Sequence, residues 1–399
     1  MSNSPLMPVY TPPPTDFVSG KGAMVFDANG KRYLDFLAGI AVNSLGHCHP
    51  KLVAALTDQA NKLWHMSNVY QTELQQTLAA KWVSATFADY VFFTNSGTEA
   101  IEACLKLTRK YHFTKGKPEK IDIIGFDGAF HGRSYGGINA AGNQNYLNGF
   151  GPPLPGFKQC KFGDIEALLA MIDENTAGII LEPIQGEGGV RALEPEYLRA
   201  LRSICNENDI LLIFDEVQCG AARSGKLFAH EWADITPDVM AIAKGIGGGF
   251  PLGACLATEQ ASIGMVKGTH GSTYGGNPLA MAVGHAVFDE ITQPEFLENV
   301  NSVANYLVQS LEGLKDAYPD IILEIRGKGL LRGLKLSIDP LIIRDLAFQN
   351  GLLVTVAAGN VLRILPPLII DQGNVSEAIS ILDKCFASAQ ASQKTGEAL

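Results

Sequence analysis

DILLIFDEVQCGAARSGKLFAHEWADITPDVMAIAKGIGGGF, residues 209–250, decides the fold. It holds two continuous apolar runs, ILLIF and VMAIA, each of strand length and neither alternating with polar residues. A strand apolar on both faces is covered on both faces, the condition of a mainly parallel sheet packed between helices. Working outward, VFF (91–93), IDIIGF (121–126) and AGIILEP (177–183) read as further strands of that sheet. Helical patterns fill the gaps. One begins near Gly97, and another covers 164–173, with Asp164 as N-cap and Glu166 in its first turn. The pattern predicts an α/β protein.

Beyond about residue 285 the texture changes. A helical pattern at 294–316 is followed by IILEIRGKGLLRGLKL, a helix near 340–350, and GLLVTVAAGNVLRILPPLII, which together read as a smaller α+β domain. Near the start, MVFDANGKRYLDF (24–36) reads as a hairpin, with Asn29-Gly30 as a type I′ turn signal. That segment is expected to pack beside the C-terminal domain. The expected division is 1–50 for an N-terminal arm and small-domain segment, 51–285 for the large domain and 286–399 for the small one.

Composition narrows the function classes. The 399 residues carry 31 Lys+Arg against 41 Asp+Glu, a formal net charge of −10, which argues against a dedicated nucleic-acid binder. No run approaches the roughly 20 apolar residues of a membrane span, and the opening MSNSPLMPVYTPPPTDF lacks the pattern of a signal peptide. Its Pro-rich stretch suits an extended arm. Seven cysteines, an odd number with no CxxC pair, suggest a reducing cytoplasm. Glycine, 42 of 399, is enriched and clusters at the ends of apolar runs, where a backbone turns sharply or approaches a phosphate.

In open α/β sheets, ligands bind beyond the carboxyl ends of the strands, and four features fall there. FFTNSGTE (92–99) passes from strand to helix at Ser96-Gly97-Thr98, leaving N–H groups for an anion; it also fits an ordinary capped helix. Asp215 closes a buried strand, where a carboxylate needs a cationic partner, or serves only as a salt bridge or cap. Lys244 ends VMAIA beside a glycine cluster; it either reaches the surface or is a desolvated Schiff-base nucleophile. FHGR (130–133) offers a ring face and a guanidinium, Phe130 and Arg133, which separately read as core and surface. Together they supply a phosphate cradle, a pyridinium partner, a lysine nucleophile and a carboxylate clamp, the needs of a pyridoxal phosphate enzyme acting on amino acids.

Along roughly residues 8–390 the chain resembles the class III aminotransferases of fold type I. The motifs are GIAVNSLGHCHP (39–50), NSGTEA (95–100), FHGRS (130–134), LEPIQGEGGV (181–190), FDEVQCG (214–220), AKGIGGGFPLGA (243–254), HGSTYGGNP (270–278) and LRILPP (362–367). The resemblance implies pyridoxal 5′-phosphate bound covalently to Lys244, with Asp215 on its ring nitrogen. Gln218 then approaches the phenolic oxygen, Phe130 and Val217 cover the ring faces, and Glu216 joins the cofactor contacts. Gly97 and Thr98 hold the phosphate, which Thr273 reaches from a neighbouring subunit, so a homodimer with shared sites is implied. Arg133, Ser272 and Ile40 match substrate positions. Arg363 matches the residue that takes glutamate's α-carboxylate, and Glu187 the gate that masks it. His131, His270, Tyr274 and Cys219 receive no role.

Relatives with this pattern act on N-acetylornithine, succinylornithine, ornithine or 4-aminobutyrate. Ile40 stands where ornithine enzymes carry a tyrosine, and an apolar side chain there disfavours a free α-ammonium. The forms NSGTEA and HGSTYGGNP are those of the acetylornithine enzymes. The expectation is therefore transfer of the δ-amino group of N2-acetyl-L-ornithine to 2-oxoglutarate, a step of arginine biosynthesis. Succinylornithine and 4-aminobutyrate (or another ω-amino acid) are the alternative donors. GIGGGF lacks the spacing of a dinucleotide fingerprint, which weakens a nicotinamide enzyme. A glutamate-semialdehyde aminomutase shares the fold but needs no external keto acid. A non-catalytic binding protein would need neither Lys244 nor Asp215. His47-Cys48-His49 lacks further ligands, so no metal site is expected.

Overall fold

The computed structural model describes residues 5–395. Strands β1 (Phe17–Lys21), β2 (Met24–Asp27) and β3 (Arg32–Asp35) form an N-terminal meander. Next come β4 (Tyr90–Thr94), β5 (Asp122–Phe126), β6 (Phe157–Cys160) and β7 (Thr176–Leu181). A two-stranded ribbon of β8 (Ile184–Gln185) and β9 (Arg191–Ala192) precedes β10 (Leu211–Asp215), β11 (Val239–Ile242) and β12 (Gly253–Ala257). The chain ends with β13 (Ile322–Lys328), β14 (Leu331–Leu336), β15 (Leu352–Leu353), β16 (Thr355–Ala357), β17 (Val361–Ile364) and the helix Gln372–Thr395.

The central sheet has seven strands in the order β4-β12-β11-β10-β7-β5-β6. Its neighbours run parallel except β12, which is antiparallel to both β11 and β4. Every residue of β7, β10, β11 and β12 is buried, as the uninterrupted apolar runs require. On one side Trp82, from the helix Glu73–Ala85, packs edge to face on Phe288 with ring centroids 4.8 Å apart. On the other lies the helix Gly97–Thr114, whose Ala100, Cys104, Leu107 and Tyr111 are buried. The expected helix after Asp164 is Ile165–Met171, and the Asp164 carboxylate accepts from Ala167 N at 3.0 Å.

The smaller sheet β13-β14-β17-β16 is antiparallel throughout. The helix Pro294–Ala317 packs on the helix Gln372–Thr395, an element beyond those expected. Its buried Val375, Ala378, Leu382, Cys385, Phe386 and Ala389 fall at three- and four-residue spacings, a helical stripe visible in the sequence. β3 pairs in parallel with β15, which joins the N-terminal segment to the C-terminal part of the chain.

The hairpin turn differs from the expected type I′, which needs positive φ at both central residues. Here only Gly30 is left-handed, at φ 79°. Gly30 N donates to Asp27 O at 3.0 Å, and Asp27 N donates to Lys31 O at 3.1 Å. This is the three-residue loop of a type I turn followed by a left-handed glycine. The Asp27 carboxylate favours it by accepting from both Asn29 N and Lys31 N at 2.9 Å. His47-Cys48-His49 is not extended: Cys48 is left-handed at φ 51°, and His47 Nε2 lies 2.7 Å from Asp35 Oδ2.

Candidate active site

Three adjacent parallel strands end side by side. Phe214 of β10 pairs with Leu181 of β7, and Asp215 pairs with Ala241 of β11. Glu182, Asp215 and Lys244 therefore follow one another across the sheet's carboxyl edge. They line a cavity of about 310 Å³ with Gly97, Thr98, Phe130, Val217 and Gln218.

The start of the helix Gly97–Thr114 forms part of the cavity wall. Ser96 Oγ accepts from Glu99 N at 3.2 Å, and Glu99 Oε2 accepts from Asn95 N at 2.5 Å. These bonds set the turn and leave the first helical N–H groups without intrahelical partners, a place for an anion. Gly132 closes over it at φ 92°, and a Cβ there would lie 2.2 Å from Thr98 Oγ1.

Asp215 is 4% exposed. Its Oδ2 lies 2.8 Å from Nδ1 of the buried His131, and its Oδ1 accepts from Val217 N at 3.0 Å. Burial alone would lower the His131 pKa, but the bond and charge of Asp215 carry it above the usual value. His131, which sequence reading left without a role, thus fixes the Asp215 carboxylate. Its Nε2 has no partner among the described residues.

Lys244 opens the short 3₁₀ turn Lys244–Gly247 at φ 48°, a left-handed conformation that costs about 1–3 kcal/mol for such a residue. Burial pushes its ammonium pKa down and the Arg363 charge adds to this, against the carboxylates of Glu187, Asp215 and Glu182. Desolvation that lowers a lysine's pKa is the condition for a nucleophile and a proton carrier.

Two positions differ from the sequence reading. Glu216 is no part of the cavity wall. Its carboxylate accepts from Ala229 N and His230 N, both at 2.8 Å, and serves the structure behind the sheet edge. Consecutive residues at a strand end face opposite ways, so Asp215 in the cavity turns Glu216 out. Glu182, within LEPIQGEGGV, was not singled out, yet it lines the cavity and its Oε2 accepts from Phe130 N at 3.1 Å. Burial first, and then Asp215, raise its pKa to about 8, despite the nearby His131 and Lys244 charges. Its signal was an acid following a fully buried strand.

Beyond the cavity, Arg363 of β17 is 1% exposed, and its Nη1 lies 2.6 Å from Glu187 Oε1 and 3.0 Å from Gln218 Oε1. Burial alone would raise the Glu187 pKa; the Arg363 guanidinium holds it below the usual carboxylate value. Gln218 lines the cavity as well, so it links this ion pair to Lys244's surroundings. Arg133 lies outside the wall, exposed, with its guanidinium over the Tyr146 ring. Ile40 is 38% exposed, in a turn where Ala38, Gly39, Ile40 and Ala41 are all left-handed. Ser272 Oγ accepts from Gly275 N at 2.9 Å and from Asn95 Nδ2 at 3.4 Å. Thr273 is exposed and does not line the cavity of its own chain.

Residues 7–386 match the family described as Aminotransferase class-III. Over 385 residues the chain is 55% identical to the acetylornithine aminotransferase of Rhodobacter capsulatus, covering 96% of this chain and 98% of that protein. Its fold matches the ornithine aminotransferase of Toxoplasma gondii, whose active site holds pyridoxal phosphate at partial occupancy. The TM-score is 0.93 at 32% identity, over 98% of this chain and 94% of that one. It also matches the N-acetylornithine aminotransferase of Stenotrophomonas maltophilia, with a TM-score of 0.84 at 37% identity over 96% and 98% of the two chains. With that likeness running almost end to end, and with Lys244, Asp215 and the open helix start around one cavity, the chain belongs to the class III aminotransferases.

Proposed function

We propose that this aminotransferase uses pyridoxal 5′-phosphate to move the δ-amino group of N2-acetyl-L-ornithine to 2-oxoglutarate. The products are N-acetyl-L-glutamate 5-semialdehyde and L-glutamate, in arginine biosynthesis. The observation that carries the reading is the cavity in which half-buried Lys244, buried Asp215 and the helix start at Gly97 face one another. The donor assignment draws support from the acetylornithine aminotransferase of Rhodobacter capsulatus, 55% identical over nearly the whole chain.

The residues fit the cofactor. Gly97 and Thr98 N–H groups and Gly132's lack of a side chain suit a phosphate, and Asp215, backed by His131, suits a protonated ring nitrogen. Phe130 and Val217 supply apolar surface for a planar ring. When bound, the cofactor supplies a carbonyl carbon for the substrate nitrogen and a ring that withdraws electrons from the reacting carbon. Lys244 Nζ, its pKa lowered by burial, takes the proton from the donor's amine-bearing carbon. Asp215 keeps a proton on the ring nitrogen.

Arg363 takes the α-carboxylate of glutamate only when Glu187 swings away. With the acylated donor the pair stays closed, so one cavity serves two unlike substrates in turn. Arg133 takes a carboxylate of either.

We also read the enzyme as a homodimer of the cytoplasm. Around Thr273, Trp64, Val69, Tyr70 and Tyr274 are all more than half exposed, and Asn68 Nδ2 ties the two segments by donating to Ser272 O and Gly275 O. An apolar patch of that kind suits a second copy.

The test is a half-reaction. Protein loaded with pyridoxal phosphate, without keto acid, is given N-acetylornithine, N-succinylornithine, ornithine or 4-aminobutyrate while the cofactor absorbance is followed. Rapid loss of the band with N-acetylornithine alone is expected. Faster loss with another donor would reassign the substrate, and no lysine-bound band at all would overturn the reading.

A further inference from the structure

Arg133 leaves the loop after β5 exposed, and among the described residues no Asp or Glu pairs with it within 4.0 Å. Its guanidinium carbon lies 3.9 Å from the ring centroid of Tyr146 and 5.5 Å from that of Phe130. The two rings meet edge to face at 90°, with centroids 5.9 Å apart. Both are anchored. Phe130 N donates to Glu182, and Tyr146 sits in the single turn Gln144–Leu147, where Asn143 Oδ1 accepts from Asn145 N at 3.0 Å.

We propose that Tyr146 is the positioning residue for substrate carboxylates, holding the Arg133 guanidinium by its face so that its edge meets the carboxylate. The inference rests on the reading in which Arg133 takes that carboxylate. The physical reason lies in what each support would cost. A guanidinium carries its five donors in its plane, and a carboxylate partner would occupy them and cancel the charge. An aromatic face touches only the π surface, holds the cation electrostatically and leaves the whole fork free for a bidentate bond. An unsupported arginine on an exposed loop would lose rotamer freedom on each binding event. Because Arg133 serves both the acylated donor and 2-oxoglutarate, Tyr146 acts on both halves of the reaction without touching the reacting atoms.

The experiment compares Y146F, Y146L, Y146A and R133A as holoenzymes. The readouts are KM and kcat for both substrates, the Kd of glutarate (a dicarboxylate with neither amine nor ketone), and the cofactor absorbance, which reports an intact cavity. Y146L and Y146A should raise both KM values and the glutarate Kd by about two- to fivefold, the range of one exposed cation–π contact. Their kcat and absorbance should stay within twofold, roughly. Y146F, which keeps the ring face, should behave as the wild type. A wild-type Kd in Y146L, or a loss in Y146F equal to that in Y146L, overturns the role of the ring face. R133A should weaken glutarate more than any tyrosine variant. If R133A leaves both KM values unchanged, the carboxylate reading of Arg133 itself falls, whereas a weakened R133A beside an unaltered Y146L overturns only the part given to Tyr146.

Discussion

Arg363 and Glu187 meet at 2.6 Å just beyond the cavity, with the arginine side chain 2% exposed and the glutamate 30%. The asymmetry has a mechanical meaning. The guanidinium is fixed by β17 and by Gln218, while the carboxylate retains a path to water. In the proposed switch, Glu187 is therefore the partner assigned to move. Two charges about 4 Å apart are worth about 4 kcal/mol at an effective dielectric near 20, less at a partly exposed side chain. E187Q is expected to raise kcat/KM for glutamate over that for N-acetylornithine by about tenfold, or about 1.4 kcal/mol. Steady-state rates with each donor decide it, and an unchanged ratio removes Glu187 from substrate selection.

K244A should fall at least about a thousandfold in turnover, since on the proposed reading it loses both the covalent anchor and the proton carrier. Its absorbance should lack the band of lysine-bound cofactor. Near-normal turnover would place the chemistry on another residue.

Glu182 gives the protein a pH signature. Its carboxyl has a usual pKa of 4.5, raised in the fold to about 8. A group that holds its proton more tightly when folded contributes stability fully below about 4.5, and that contribution is lost as pH rises through about 8. Gln in E182Q still offers Phe130 N an acceptor but cannot ionise. The melting temperature of cofactor-free E182Q should therefore gain on the wild type between about pH 5 and 8 and level off above that. A gap constant with pH would show that Glu182 stays ionised, neutralised by His131 and Lys244.

At Gly132, alanine faces a left-handed φ of 92° and a contact of 2.2 Å with Thr98 Oγ1. Strain of about 1–3 kcal/mol would be relieved by moving the helix start, which lowers cofactor affinity about 5- to 150-fold. Titration of the cofactor-free variant with pyridoxal phosphate measures this. Unchanged affinity would mean that the phosphate does not lie against Thr98.

Much of this was legible in the sequence because buried parallel strands leave a strong mark. ILLIF and VMAIA overlap β10 and β11 in all but one residue each, and the residues closing them reach one cavity. What escaped was local. The Asn29-Gly30 signal was outweighed by the Asp27 carboxylate, which accepts two backbone N–H groups and selects a different turn. The resemblance places Glu216 with Asp215 among the cofactor contacts, although strand geometry sends neighbours to opposite sides.

The sequence by itself determined the layered α/β class, the seven-cysteine acidic composition, and the presence of a lysine, an aspartate and a glycine-bounded helix start at strand ends. These follow from residue type and short-range period, which the chain carries everywhere along its length. Only the tertiary structure decided which of them meet. Strand order puts Glu182 beside Asp215 though 33 residues separate them in the chain, and the pairing of β14 with β17 holds Arg363 176 residues from its partner Glu187. Contacts of that range are set by register and packing against a shared core, and no local pattern encodes them.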